Sequence, residues 1–185
     1  MITMEDIVFD PHPLLRTVVD EVMLPLTAED KNIMNEMAEF LANSQNRKIA
    51  KQYGLREGVG IAAPQIGLNK RIIAVRAEDE KGVLHEYVLA NPKVISHSEE
   101  RTYLPNGEGC LSVDKEVPGI VPRYKRLTIQ GYDVSDNLVK IKARGFIAVI
   151  FQHEMDHLNG KMFFDHIDKE NPLMPLTDAA PINFN

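Results

Sequence analysis

The chain has 185 residues, 44% hydrophobic and 26% charged, enough apolar length for a substantial core, and reads as one domain spanning 1–185. Its formal charge of −6 argues against a nucleic-acid binder, and no apolar run approaches the ~20 residues that a membrane-spanning helix needs. One cysteine excludes an intrachain disulfide and fits a reducing cytoplasm, while the opening Met1-Ile2-Thr3-Met4-Glu5-Asp6 lacks the basic and apolar regions of a signal peptide.

Asp10-Pro11-His12-Pro13 predicts an extended, turn-prone start, because residues before proline avoid the helical region. A helix is expected over 28–42, with Thr27 as N-cap, Asp30 three residues on, and Ile33, Met34, Met37 and Leu41 as its apolar stripe. The polar stretch 43–56 reads as a surface excursion with a further short helix. Gly58-Val59-Gly60-Ile61-Ala62-Ala63-Pro64-Gln65 carries little side chain, which suits backbone packed close to another element or a ligand. Taken alone it reads as a tight turn with the Gln65 amide exposed, and it completes neither nucleotide-loop pattern.

From Arg71 the period becomes that of strands, expected over 71–76, 83–89 and 93–97, with Asp79-Glu80-Lys81-Gly82 as the first hairpin loop. A second hairpin joins 126–132 to 138–143 through Asp133-Val134-Ser135-Asp136-Asn137. The tail is broken by Pro172, Pro175 and Pro181 and cannot be a long helix; Ile182 and Phe184 are expected to add a short edge strand.

Between the second hairpin and the tail lies an apolar run from Gly145. Read as a helix, Phe146, Ile147, Val149, Ile150, Phe151, Met155 and Leu158 cover nearly its whole circumference, which marks it as buried. Two histidines and a glutamate inside such a helix need a reason, since unpaired polar groups in a core are costly. His153 and His157 are four apart, so both imidazoles leave one face and can share a metal ion, with Glu154 beside them to handle the proton of a bound water. The pattern predicts an α+β fold: antiparallel sheets wrapped around a central buried helix carrying His-Glu-x-x-His, plus an N-terminal helix.

A catalytic metal wants a third protein ligand and an open position. The continuation His-x-x-Gly-x-x-His fails here, because Gly160 matches but Phe163 cannot bind a metal. Asp165, His166, Asp168 and Glu170 lie in charged, exposed-looking sequence where salt bridges or solvent account for them. Cys110, in Gly107-Glu108-Gly109-Cys110-Leu111-Ser112, stands among small and polar neighbours and is the stronger candidate. A small buried hydrophobe and a nucleophile with a histidine base are its other readings. The nucleophile reading leaves the His153/His157 spacing unexplained.

Three segments, in this order, resemble the signature motifs of the peptide deformylases: Gly58 to Gln65, Glu108-Gly109-Cys110-Leu111-Ser112, and Gln152-His153-Glu154-Met155-Asp156-His157-Leu158-Asn159-Gly160. The insertion at 43–57 and the non-helical tail resemble one class of that family. The resemblance implies a metal-dependent hydrolase that removes the formyl group from the N-terminal formyl-methionine of newly made proteins and releases formate. It implies Cys110, His153 and His157 as metal ligands and Glu154 as acid/base. The Gln65 side chain and Leu111 N–H would hold the formyl oxygen, and Gly60 and Gly109 the substrate backbone. The metal implied is one divalent ion, ferrous iron (Fe2+) in the cell, with Ni2+, Co2+ or Zn2+ found after purification. The partners implied are N-formyl-methionyl peptides on nascent chains, with transient ribosome association and no membrane. Two rival readings are a zinc peptidase acting on unblocked peptides and a non-catalytic protein with a structural metal. The second lacks the further cysteine that would close the metal's fourth position.

Overall fold

The computed structural model describes residues 1–184. Its helices are α1 (Ala28–Ser44), α2 (Arg47–Tyr53) and α3 (Gly145–Leu158). Its strands are β1 (Gly60–Ala62), β2 (Ile72–Glu78), β3 (Leu84–His97), β4 (Arg101–Tyr103), β5 (Arg123–Tyr124), β6 (Arg126–Tyr132), β7 (Leu138–Arg144) and β8 (Ala179–Pro181). One five-stranded antiparallel sheet runs β1-β2-β3-β6-β7, and a smaller sheet runs β5-β4-β8. The α+β architecture expected from the sequence is the one observed.

The large sheet is covered on both faces, and β2 shows why. Alternation sends Ile72 and Ala74 toward α1, where they meet Met34, Met37, Phe40 and Leu41. Ile73, Val75 and Ala77 face α3 and pack with Ile147, Ile150, Phe151 and Leu158. Each apolar side chain so buried contributes about 1.5–3 kcal/mol. α1 starts where Thr27 accepts from Asp30 N and Asp30 returns the bond to Thr27 N, the expected capping box.

Two expectations need correction. The segments 83–89 and 93–97 are one strand, β3, kept continuous through bulges around Asn91-Pro92. Asn91 takes φ of 50°, and its side chain bonds both Val22 N and Val22 O at 2.9 Å, fixing the bulge to the segment ahead of α1. The tail strand is Ala179–Pro181, pairing in parallel with β4, so Ile182 and Phe184 lie beyond it. The short strands β4 and β5 carry too few residues for the sequence pattern to mark them.

α3 is held at both ends by charges of the appropriate sign. Arg144, at its N-cap, offers no side-chain bond; Glu80 from the β2–β3 hairpin instead accepts from Phe146 N at 3.0 Å. Gly145 has φ of +55°, and a Cβ there would strike the Glu80 carboxylate. At the other end Arg71 donates to Leu158 O at 3.0 Å and to Asn159 Oδ1 at 3.1 Å. Replacing Glu80 with alanine should therefore lower stability by about 1 kcal/mol, a fall of roughly 2–4 °C in Tm for a chain this size. An unchanged melting curve would mean that water caps the helix equally well.

Candidate active site

α3 delivers His153 and Glu154 to a cleft of about 470 Å3, whose opposite wall is the loop between β4 and β5, with His157 buried one helical turn further along. The two imidazoles share a helix face with ring centroids 5.1 Å apart. Cys110, on the loop, brings its Sγ to 3.3 Å from His157 Nε2. One ligand atom from each of Cys110, His153 and His157 lies within 4.8 Å of the others. Metal–sulfur and metal–nitrogen bonds of about 2.0–2.3 Å set ligands on one ion roughly 3.5 Å apart, so this set fits a single divalent cation. Asp165, Asp168 and Glu170 stand outside it: Asp165 pairs with Arg16 at 2.5 Å, and Asp168 accepts the Glu170 and Asn171 N–H groups.

Behind the histidines lies a buried ion network that sequence reasoning did not single out. His153 Nδ1 is 2.8 Å from Glu108 Oε2, which leaves its other nitrogen for the cleft. Arg123 grips Glu108 with two bonds, Nε at 2.8 Å and Nη2 at 2.9 Å, and reaches Asp156 with Nη1 at 2.6 Å. Asp156 in turn meets His166 Nε2 at 2.8 Å. The Arg123 and Glu108 side chains are each 3% exposed. Burial alone would raise the Glu108 pKa, but the Arg123 guanidinium and its bonds win and hold it at about 2. Burial works against charge on His153 too, yet contacts with Cys110 and Glu108 carry its pKa well above the ordinary value. His157 is pushed well below by burial and by neighbouring His153. Groups that favour a proton on His153 favour any cation in that place, which suits a metal.

Glu154 is buried, and its Oε2 has no hydrogen-bond partner. Burial is the main reason its pKa rises to about 7. Gly60 is the residue that lets this carboxylate stand where it does, since a Cβ on Gly60 would sit 2.8 Å from Glu154 Cγ and Cδ. β1 is the sheet's edge strand, and Arg76 N bonds Val59 O at 2.8 Å. Strand alternation then turns the Gly60 backbone groups away from β2, toward the open edge. Across the cleft, a Cβ on Gly109 would meet nothing within 4 Å, so that loop backbone is also approachable.

Gln65 departs only from the reading of its segment taken alone: the amide is 1% exposed rather than on the surface. Its Oε1 accepts from Ala62 N at 2.9 Å, which points Nε2 at Cys110 Sγ (3.4 Å) and Ser112 Oγ (3.3 Å). Arg56, also unsuspected from sequence, braces the facing loop through Cys110 O and Leu111 O, both at 3.2 Å. The Leu111 peptide is thus fixed beside Cys110. A signal for Glu108 existed, because a metal-binding histidine needs a partner for its second nitrogen and Glu108 lies two residues from Cys110. Arg123 had none, because its neighbours are assembled only by folding.

A helix carrying His-Glu-x-x-His across one face of an antiparallel sheet, with a cysteine brought beside it at a cleft, defines an α+β protein with a side-chain set that could hold a metal ion. The family model described as polypeptide deformylase matches residues 4–172. Peptide deformylase 2 of Bacillus subtilis (strain 168) is 54% identical over 182 residues, covering 98% of this chain and 99% of that protein. Peptide deformylase of Listeria monocytogenes is 54% identical over 172 residues, covering 93% and 94%. Among solved structures, a peptide deformylase from Ehrlichia chaffeensis superposes with a TM-score of 0.73 at 31% identity, covering 90% of this chain and 89% of that one. A plant peptide deformylase gives 0.73 at 30% identity, covering 90% and 82%. The chain belongs to the polypeptide deformylase family. It is an enzyme that removes the N-formyl group from peptides.

The Glu108 contact yields a test. Glu108→Gln should weaken divalent-metal affinity about 10–100-fold, as loss of such outer partners does elsewhere. Metal content after dialysis against a graded chelator reads this directly. Wild-type retention would show that His153 needs no orienting carboxylate.

Proposed function

We propose that the chain, acting as one metallohydrolase domain over 1–185, removes the formyl group from the N-terminal formyl-methionine of newly made proteins and releases formate. The observation that carries this reading is the convergence of Cys110, His153 and His157 within 4.8 Å beside the unpartnered Glu154 Oε2. In this reading Cys110, His153 and His157 hold one divalent ion. When bound, that ion supplies a Lewis acid and lowers the pKa of water toward neutrality. A thiolate with two neutral imidazoles leaves a net charge of about +1 and a donor set soft enough for ferrous iron, which we take as the cellular metal.

The remaining work belongs to side chains and backbone. Glu154 Oε2 takes a proton from the attacking water and returns it to the departing amine, a task suited to a buried carboxylate oxygen with no other partner. Gln65 Nε2, fixed by the Ala62 bond, and the Leu111 N–H donate to the formyl oxygen as negative charge develops there. Gly60 and Gly109 offer backbone from opposite walls to the substrate's extended main chain. Nascent chains place the enzyme in the cytoplasm with transient ribosome contact.

Anaerobically purified protein, given matched formylated and unblocked peptides, should release formate from the first and leave the second intact. Cleavage of internal peptide bonds in the unblocked peptide would instead make it a peptidase. Glu154→Ala should keep its metal while losing at least ~10²–10⁴ in kcat, because the glutamate moves protons and is not a ligand. Metal lost in step with activity would reassign Glu154. Gln65→Leu should lower kcat by roughly 10²–10³ with little change in KM, as an oxyanion donor acts in the transition state. A variant with normal kcat and raised KM would reduce Gln65 to a binding residue.

A further inference from the structure

Beside the catalytic cleft lies a second, larger groove of about 1000 Å3. The two share Glu57, Val59 and Phe146 as wall residues, so they adjoin along that wall. Direction along it follows from β1: Gly60 lies against Glu154, while Val59 and Glu57 lead away from it. A substrate with its formyl end at Glu154 therefore carries its later residues toward the shared wall.

Phe146 opens α3, with its N–H held by Glu80, and its ring meets Phe184 edge-on, centroids 5.2 Å apart at 82°. Phe184 comes from the C-terminal tail, which is fastened well for so short a segment. Arg101 holds Asp178 with bonds of 2.8 and 2.9 Å, Thr102 Oγ1 bonds Ala180 O at 2.7 Å, and β8 pairs with β4. Ile182 N donates to Tyr103 O at 2.9 Å and its side chain is 4% exposed. Two residues past that anchor Phe184 remains 56% exposed, with part of its surface lining the groove. The anchoring brings a large apolar side chain to the groove without burying it.

We propose that this groove binds the part of the substrate downstream of the residues held in the catalytic cleft, with Phe146 and Phe184 as its apolar wall. The ligand is an extended peptide segment bearing an apolar or aromatic side chain where it passes the pair. This rests on the deformylase reading above. Contact made away from the reacting bond binds substrate and transition state alike, so it acts on KM and leaves kcat nearly untouched.

The test compares Phe184→Ala, Phe184→Leu and wild type on a short formyl-methionyl dipeptide and a long formyl-methionyl peptide with aromatic residues downstream, by formate release. Phe184→Ala should raise KM for the long peptide about threefold to tenfold, the worth of one aromatic contact, with a clearly smaller effect on the dipeptide. Phe184→Leu should recover most of the loss. An equal loss at both lengths would mean that the tail only supports Phe146, and no loss on the long peptide would mean that the groove is not on the substrate's path; either overturns the proposal. Absence of formate from the dipeptide with wild-type enzyme would sink the deformylase reading itself, a result distinct from both.

Discussion

A guanidinium with 3% of its side chain exposed must be neutralised where it stands, and Arg123 draws Glu108 and Asp156 around it. Burying a charge costs several kcal/mol that only close, well-shaped pairing offsets. The two-bond grip on Glu108 and the single bond to Asp156 provide it. Because those carboxylates also meet His153 and His166, neutralising Arg123 fixes the loop before Cys110, the middle of α3 and the turn at Phe163–His166 relative to one another. The pocket's geometry is thus a by-product of solving a desolvation problem.

The second constraint is the seating of α3. Its apolar surface is taken up by one face of the large sheet, while α1 covers the other. Glu80 and Arg71, lying just beyond the two ends of β2, bond the two ends of the helix. A helix fixed in this way can carry polar groups that are not fully bonded. Glu154 Oε2 and His157 Nδ1 are the buried side-chain atoms without a partner among the described residues, and both are on this helix. Such unsatisfied groups cost about 1–3 kcal/mol each, which the surrounding core offsets.

The cleft's two walls differ in kind. One is an edge strand whose glycine admits Glu154; the other is a loop without regular structure, stiffened by Arg56 through its carbonyls. Backbone is therefore presented from both sides, which suits a chain recognised by its main-chain groups more than by its side chains. Beyond the cleft the walls mix apolar, acidic and basic side chains, and one of them comes from the far end of the chain.

Local rules made much of this legible in advance. The period of the run from Gly145 and the four-residue step from His153 to His157 follow from helix geometry, and the capping box at Thr27 and the loops at 79–82 and 133–137 follow from short-range bonding. Cys110 was legible as a candidate because its neighbours are small and polar. What folding alone decided are pairings between residues far apart in sequence: Glu108 with Arg123 and His153, Glu80 with Phe146, Arg56 with the Cys110 loop, Phe184 with Phe146. The burial of Gln65 belongs there as well, since Ala62, Cys110 and Ser112 must all be in place before an amide can be buried without cost. β3 bends at Asn91-Pro92, where the Asn91 side chain is tied to both backbone groups of Val22, a contact that no local pattern announces. A sequence fixes its own periodicity and its turns, because those interactions span a few residues. The partners of a buried charge lie across the whole chain, and only the packed structure selects them.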